Sequence, residues 1–218
     1  MKKNFNTKDL PNKIPVFPLS NAIFFPNTVL PLNIFEPRYK QMTEHALNQN
    51  GIIGMVQTTQ EKDENNKPVV YDVGCLGYID QYSNTPDGRY LINLKGVSRF
   101  RIINEVNSEN MYRLFEVNYD EFKNDQSKNK DLEVDILELI DKAKKFFKKH
   151  QLITDWKIVE KVEPSQLINS LAMICPFTVS EKQRLLETLT VEERNEVLNQ
   201  IINFYILDNN LTNNKKVH

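Results

Sequence analysis

The character of the sequence changes across the polar stretch at residues 120–130, and this change limits the folds that the chain can adopt. Before it, short segments rich in β-branched and aromatic residues recur between turn signals. After it, apolar residues recur three and four positions apart, as in amphipathic helices. We therefore predict an α+β protein with a β-rich subdomain at 10–120, a helical subdomain at 131–208, and flexible tails at 1–9 and 209–218.

The first half predicts an antiparallel arrangement of short strands. The segments with strand character are 29–35, 52–57, 73–81, 89–94, 98–105 and 112–119. Apolar and polar residues alternate at 90–94 and 99–102, as expected of strands with one face in water. Pro86-Asp87-Gly88 is a strong turn signal, and we interpret Gly96-Val97 as the connection between two antiparallel strands.

The helical predictions rest on apolar stripes and on end signals. One helix at 38–48 is expected to interrupt the β-rich half. In the second half, a stripe of apolar residues predicts a helix at 131–150, and Pro164 suits the first turn of the next helix. Capping-box patterns at 180–183 and 190–193 predict the starts of two more helices.

Composition and charge narrow the classes of function. The 218 residues carry a formal net charge of -1, which gives no general attraction to nucleic acid or to anionic lipid. No apolar run approaches the ~20 residues that a membrane span needs, so we expect no membrane association. Two widely separated cysteines and the absence of a signal-peptide pattern favour a cytoplasmic location.

The sequence contains no recognisable pattern for catalysis, a metal or a cofactor. None of the six glycines lies in a phosphate-binding loop, and the three histidines lack zinc-ligand spacing. Ser180 and Lys182 lie two positions apart, so a helix would point their side chains in different directions. Cys75 lies between glycines in a strand and is interpreted as a small buried residue. We therefore expect no enzyme activity, no cofactor and no metal.

Five lysines between residues 142 and 149 are the best sign of nucleic-acid binding. We interpret them as the solvated face of an amphipathic helix, because the aromatic residues among them recur at the spacing of a buried stripe. RNA binding is the second hypothesis. A basic surface joining these lysines to Arg99 and Arg101 would support it.

A more specific pattern lies between residues 14 and 39. It consists of Ile-Pro-Val-Phe-Pro-Leu at 14–19, Phe-Phe-Pro at 24–26 and Leu-Pro-Leu-Asn-Ile-Phe-Glu-Pro-Arg-Tyr at 30–39. This pattern resembles the opening of the Lon protease N-terminal domain family, whose Pro-Leu-x-Ile-Phe-Glu-x-Arg-Tyr string is present intact. The resemblance extends over roughly residues 12–206, nearly the whole chain.

The resemblance implies a PUA-like antiparallel β-barrel followed by an α-helical bundle. In that family the domain helps to recruit protein substrates, while separate ATPase and Ser–Lys peptidase domains carry out the chemistry. Neither of those regions is recognisable in this sequence. We therefore expect a stand-alone, non-catalytic module that binds polypeptide or a partner protein, with an RNA-binding PUA-like module as the alternative.

Two groups of residues are singled out. Phe24, Phe25 and Tyr82 are the predicted polypeptide contacts. The reason is that two adjacent aromatic side chains beside a proline cannot both face inward along one strand. The alternative is that a twist or bulge places both phenylalanines in the core. The second group, Glu36, Arg38 and Tyr39, is predicted to be structural. Glu36 is expected to accept amide hydrogen bonds at the start of the helix and to pair with Arg38.

Overall fold

The chain forms two units in this computed structural model, which describes residues 10–126 and 136–208. A sheet unit contains residues 10–126 together with Pro176–Glu187, and a helical unit contains residues 136–175 and 188–208. The sequence had assigned 176–187 to the helical subdomain. The tails at 1–9 and 209–218, predicted to be flexible, and the beginning of the helix predicted at 131–150 lie outside the described residues.

The sheet unit is built on two sheets. Its strands are β1 (Lys13–Pro18), β2 (Val29–Ile34), β3 (Ile52–Val56), β4 (Thr58–Lys62), β5 (Pro68–Val70), β6 (Val73–Asn84), β7 (Tyr90–Val106) and β8 (Arg113–Asn118). Six of these form the main sheet in the order β2-β7-β6-β3-β1-β8, while β4 pairs with β5. Strand β8 pairs with β1 and also with the last part of β7. The closed barrel itself stays a prediction.

One pair of the main sheet is parallel, so the prediction of an antiparallel sheet is wrong at this point. Strands β1 and β3 run in the same direction, with Val16 opposite Gly54. Parallel neighbours cannot be joined by a hairpin and need a long crossover. The chain makes that crossover through β2 and through helix α1 (Pro37–Leu47), which begins with a proline at its first turn.

Strand β7 continues through Gly96 and Val97, so the prediction of a strand connection there is wrong. The pairing with β6 shifts between Leu76 opposite Ser98 and Gly77 opposite Gly96, which leaves Val97 as a β-bulge. At Gly96 the strand is also held from outside the sheet, by Asn27 and Thr28. The Asn27 amide donates to the Gly96 carbonyl (3.0 Å), and the Gly96 amide donates to the Thr28 carbonyl (2.9 Å).

The sheet unit has a core of buried apolar side chains, all from its strands. Its members are apolar side chains that are at most 7% exposed: Ile14, Val16, Ile52, Val56, Leu76, Tyr78, Phe100, Phe115 and Val117. Cys75 is also fully buried and forms no disulfide, in agreement with its interpretation as a small core residue. Helix α5 (Val179–Glu187) belongs to this unit, and the Gln183 side-chain amide donates to the Val73 carbonyl of β6 (3.1 Å).

The remaining helices lie in the helical unit, and their starts test the predicted end signals. They are α2 (Ile136–Lys149), α3 (Trp156–Val159), α4 (Pro164–Ile174) and α6 (Val191–Leu207), while α5 (Val179–Glu187) belongs to the sheet unit. The Thr190 capping box of α6 is confirmed. The box predicted at 180–183 lies two residues earlier, because Thr178 exchanges hydrogen bonds with Glu181. No described helix is long and apolar enough to cross a membrane.

Candidate functional site

A cleft of roughly 270 Å³ opens in the sheet unit beside the first turn of α1. We call it the α1 cleft. Its walls come from α1, from the β4–β5 hairpin and from the segment between β7 and β8. The apolar part of its lining consists of Pro18, Tyr39, Pro68, Val106, Met111 and Tyr112. The polar part includes Arg38, Lys67, Glu105 and Arg113.

Two tyrosines give the α1 cleft an aromatic floor. Tyr39 is 7% exposed, and its ring lies 4.3 Å from that of Phe17, centroid to centroid. The Tyr112 hydroxyl is 2.9 Å from Nδ1 of His45, so it has a hydrogen-bond partner within the protein. Burial raises the pKa of Tyr39, with a smaller opposing effect from Arg38. The Tyr39 hydroxyl therefore stays protonated and able to donate a hydrogen bond at neutral pH.

The rim of the α1 cleft carries three cations and two carboxylates. Arg113 makes a two-pronged ion pair with Glu105, with Nη2 at 2.6 Å, and donates from Nη1 to the Pro68 carbonyl (2.8 Å). Arg38 pairs with Glu36 at 2.7 Å. Lys67 lines the cleft, and its ammonium has no ion-pair partner among the described residues. Among the residues that line the cleft, cations therefore outnumber carboxylates.

Phe24 and Phe25 do not form an exposed surface, and that expectation is wrong. They are 1% and 0% exposed. Both lie in an irregular turn rather than along one strand, which allows both side chains to face inward. Thr28 holds the turn, because its hydroxyl donates to the Phe25 carbonyl (2.6 Å) and accepts from the Phe25 amide (3.1 Å). Asn27 takes up the positive φ of 63° that the turn requires.

Tyr82 is exposed, at 57%, and lies on β6 opposite Ile92 of β7. It borders a shallow depression formed by β2, β6 and β7, whose other members include Leu91 and Asn33. This depression shares no lining residue with the α1 cleft. The structure thus separates Tyr82 from the two phenylalanines with which it was grouped.

Glu36 pairs with Arg38 as expected, but it does not cap the helix through its side chain. Its carboxylate accepts from Nε of Arg38 (3.0 Å) and makes no cap hydrogen bond. The Glu36 backbone carbonyl instead accepts from the amides of Tyr39 and Lys40. Arg38 also lies over the Tyr39 ring, with its guanidinium carbon 4.6 Å from the centroid. The three residues of this string therefore make one connected group at the edge of the cleft.

Replacing Glu36 with alanine is expected to lower the free energy of unfolding by about 0.5 kcal/mol or less. The reason is that an exposed ion pair contributes little, whereas losing a capping side chain costs about 0.5–2 kcal/mol. Urea unfolding followed by circular dichroism measures the difference. A loss well above 1 kcal/mol would contradict the absence of a cap.

Most of the basic residues that favoured RNA binding already interact with carboxylates or carbonyl groups of the protein. Three lysines of α2 pair with carboxylates: Lys142 with Glu138, Lys144 with Glu160 and Lys145 with Asp141. Lys149 donates to the Ile206 and Asp208 carbonyls at the end of α6, as expected for a cation at a helix C-terminus. These contacts neutralise much of the charge that phosphate binding would need.

The two arginines that were predicted to extend a basic surface also pair with carboxylates of the protein. Arg99 is 2% exposed, and its guanidinium pairs with Asp125 at 2.7 Å. Arg101 makes a two-pronged pair with Glu121. Among residues 10–126 and 136–208 there is also no group of three or more His, Cys, Asp or Glu placed to hold a metal ion.

Comparison with known proteins gives a consistent family assignment. A model of the ATP-dependent protease La (LON) substrate-binding domain matches residues 13–203. Lon protease of Dictyoglomus thermophilum is 25% identical over 194 residues, covering 86% of this chain and 24% of that protein. Lon protease 2 of Myxococcus xanthus is 26% identical over 206 residues, covering 91% of this chain and 24% of that protein. The chain spans about a quarter of the length of these curated relatives.

Two solved structures share the fold. A Lon N-terminal domain protein from Xanthomonas campestris superimposes with a TM-score of 0.62 at 19% identity, covering 86% of this chain and 97% of that one. The N-terminal domain of the Mycobacterium avium complex Lon protease gives a TM-score of 0.59 at 17% identity, covering 88% and 98%. At these identities the likeness concerns the fold alone.

Proposed function

This chain belongs to the Lon substrate-binding domain family, and from that premise we propose that it binds polypeptide segments in the α1 cleft, without catalytic activity of its own. One observation carries the proposal. Arg38 and Tyr39, the last residues of the string that resembles the family, line a cleft together with apolar side chains. The lining combines six apolar residues with eight polar or charged ones. A concave surface in which apolar side chains lie beside placed polar groups is a usual form of a binding site.

The size and lining of the α1 cleft favour one or two side chains of an extended segment. Its volume of roughly 270 Å³ lies just below the range of about 300–1000 Å³ typical of small-molecule sites. Met111 is 58% exposed at the rim. A flexible thioether adapts to side chains of different shape, which suits a site that accepts many unfolded sequences.

Replacing Met111 with aspartate is expected to weaken the binding of an unfolded polypeptide by about five- to tenfold. The substitution removes an exposed apolar contact and brings a charge to the rim, a combined loss of about 1–1.4 kcal/mol of binding free energy. The probe is reduced, iodoacetamide-alkylated lactalbumin carrying a fluorophore, with affinity measured by anisotropy. The protein should remain folded, because Met111 is mostly in solvent.

Ile103 provides the matched control. It is also apolar and 58% exposed, and it lies in β7 but is not one of the residues that line the cleft. Ile103→Asp should leave the affinity unchanged. Equal weakening by both variants would show that binding is a general property of exposed apolar surface and not of the α1 cleft. Tyr82→Ser, tested beside them, measures whether the second surface contributes.

The same assay separates polypeptide from RNA. Binding through apolar contacts should persist when the salt concentration is raised moderately, since burial of apolar surface is not screened. Binding of RNA to α2 would weaken steeply with salt, because each phosphate contact releases counterions. If an RNA oligonucleotide binds, Lys144→Glu with Lys148→Glu abolishes it, and no unfolded polypeptide binds, then the polypeptide proposal is wrong.

A further inference from the structure

The hydroxyl of Tyr39 has no hydrogen-bond partner among the described residues, although the side chain is only 7% exposed. Two other tyrosines of the sheet unit, one buried and one partly buried, have hydrogen-bond partners. The Tyr112 hydroxyl lies 2.9 Å from His45, and the Tyr119 hydroxyl donates to the Pro11 carbonyl (2.7 Å). The Tyr39 hydroxyl is not fully enclosed by protein, so water or a ligand can reach it. Because Tyr39 lines the α1 cleft, the occupant of the cleft can supply its hydrogen-bond partner.

The charges around Tyr39 favour an occupant that is negative. Arg38 and Arg113 favour negative charge near the phenol, whereas Glu36 opposes it. Each arginine is already paired with a carboxylate, so neither attracts an anion with full strength. Lys67 at the rim differs from these arginines, because no described carboxylate pairs with its ammonium. A hydroxyl donor and an unpaired cation that line one cleft can bind a carboxylate together, through a charge-assisted hydrogen bond.

We propose that the α1 cleft selects segments in which a carboxylate follows an apolar side chain, with Tyr39 donating to the carboxylate and Lys67 supplying the attracting charge. This inference rests on the proposed polypeptide binding and adds a preference within it. The apolar side chain occupies the surface formed by Met111, Val106 and Tyr112. The carboxylate belongs either to an Asp or Glu side chain or to the end of a chain, and the two sources share one chemistry.

Three fluorescent decapeptides with the same apolar core distinguish these sources. The first carries Glu after the core and an amidated C-terminus. The second carries Gln at that position and is also amidated, and the third carries Gln but ends in a free carboxylate directly after it. The Glu peptide is expected to bind about tenfold more tightly than its Gln counterpart, since a hydrogen bond to a charged group contributes about that factor. Preference for the third peptide instead would assign the carboxylate to a chain end.

Two substitutions test the assigned roles. Tyr39→Phe keeps the ring that packs on Phe17 and removes only the hydroxyl, so the Glu and Gln peptides should then bind within about twofold of each other. Lys67→Gln should reduce the preference about threefold at low salt and less at high salt, as expected of an exposed charge. Lys62→Gln is the matched control, because Lys62 lies on the same hairpin outside the cleft lining.

The outcomes separate the inference from the function on which it rests. Equal binding of all three peptides, still weakened by Met111→Asp, overturns the carboxylate preference and leaves polypeptide binding in place. A preference that survives Tyr39→Phe in a folded variant, as judged by circular dichroism, also overturns it. Failure of every peptide and of the unfolded protein to bind contradicts both proposals.

Discussion

Gly96→Ala should lower the free energy of unfolding by at least about 4 kcal/mol, which is a loss typical of severe core defects. A Cβ atom at this position would overlap the Phe25 carbonyl oxygen and lie 2.7 Å from its carbon. Both are backbone atoms, which cannot turn away as a side chain can. The turn that holds Phe24 and Phe25 in the core would therefore have to leave β7, and two buried aromatic rings would lose their packing.

Gly88→Ala is the control for the loss of a glycine without a clash. Its φ is 77°, and an added Cβ would meet only the Lys40 ammonium at 3.7 Å, so a backbone penalty of about 1 kcal/mol is expected. Urea unfolding of both variants by circular dichroism gives the comparison. The fluorescence of Trp156, which belongs to the helical unit, reports that unit separately. Similar losses for the two variants would rule out the close approach at Gly96.

Removing the carboxylate of Asp125 is expected to cost about 3–5 kcal/mol, the range for breaking one side of a buried ion pair. Asp125 accepts from the backbone amide of Arg99 and from two nitrogens of its guanidinium. Arg99 also donates to the Leu186 carbonyl of α5 (2.9 Å) and lies over the Phe122 ring. In Asp125→Ala the guanidinium would remain buried without its counter-charge.

The neighbouring pair of Arg101 and Glu121 supplies a matched control. Its members are 45% and 36% exposed, in contrast to 2% and 9% for Arg99 and Asp125. Glu121→Ala should therefore cost about 0–1 kcal/mol. The double variant Arg99→Met with Asp125→Leu should recover part of the loss of Asp125→Ala, because it leaves no unpaired buried charge. A cost for Asp125→Ala no larger than that for Glu121→Ala would show that the burial contributes nothing.

Local patterns predicted the elements of the fold better than the way they are joined. The change from strand spacing to helical stripes was enough to place strands before residue 120 and the α2, α4 and α6 helices after it. The parallel pairing of β1 with β3 has no local signal, because it depends on a crossover of more than thirty residues. Gly96 resembled a turn residue in the sequence, yet its lack of a side chain serves a close backbone approach.

The candidate site was predictable only where it coincides with the family string. Arg38 and Tyr39 were singled out, although as structural residues, and they line the α1 cleft. Lys67 and Met111 come from segments without periodicity, so no pattern could connect them to α1. Phe24 and Phe25 were misassigned because a strand was assumed where the chain makes a turn held by Thr28.

The return of α5 to the sheet unit has a consequence for synthesis on the ribosome. The Arg99 guanidinium can donate to the Leu186 carbonyl only after residue 187 has been made. The same holds for the Val73 carbonyl, which accepts from the Gln183 side-chain amide. About 60 residues separate that point from the end of the 3₁₀ helix Asp120–Gln126 that carries Asp125. At about 5–20 residues per second, the nascent sheet would wait roughly 3–12 s with these polar groups unmatched. Its last contacts form from a segment translated after the helices α2 to α4, so native pairing in this unit is completed only once those helices have been made.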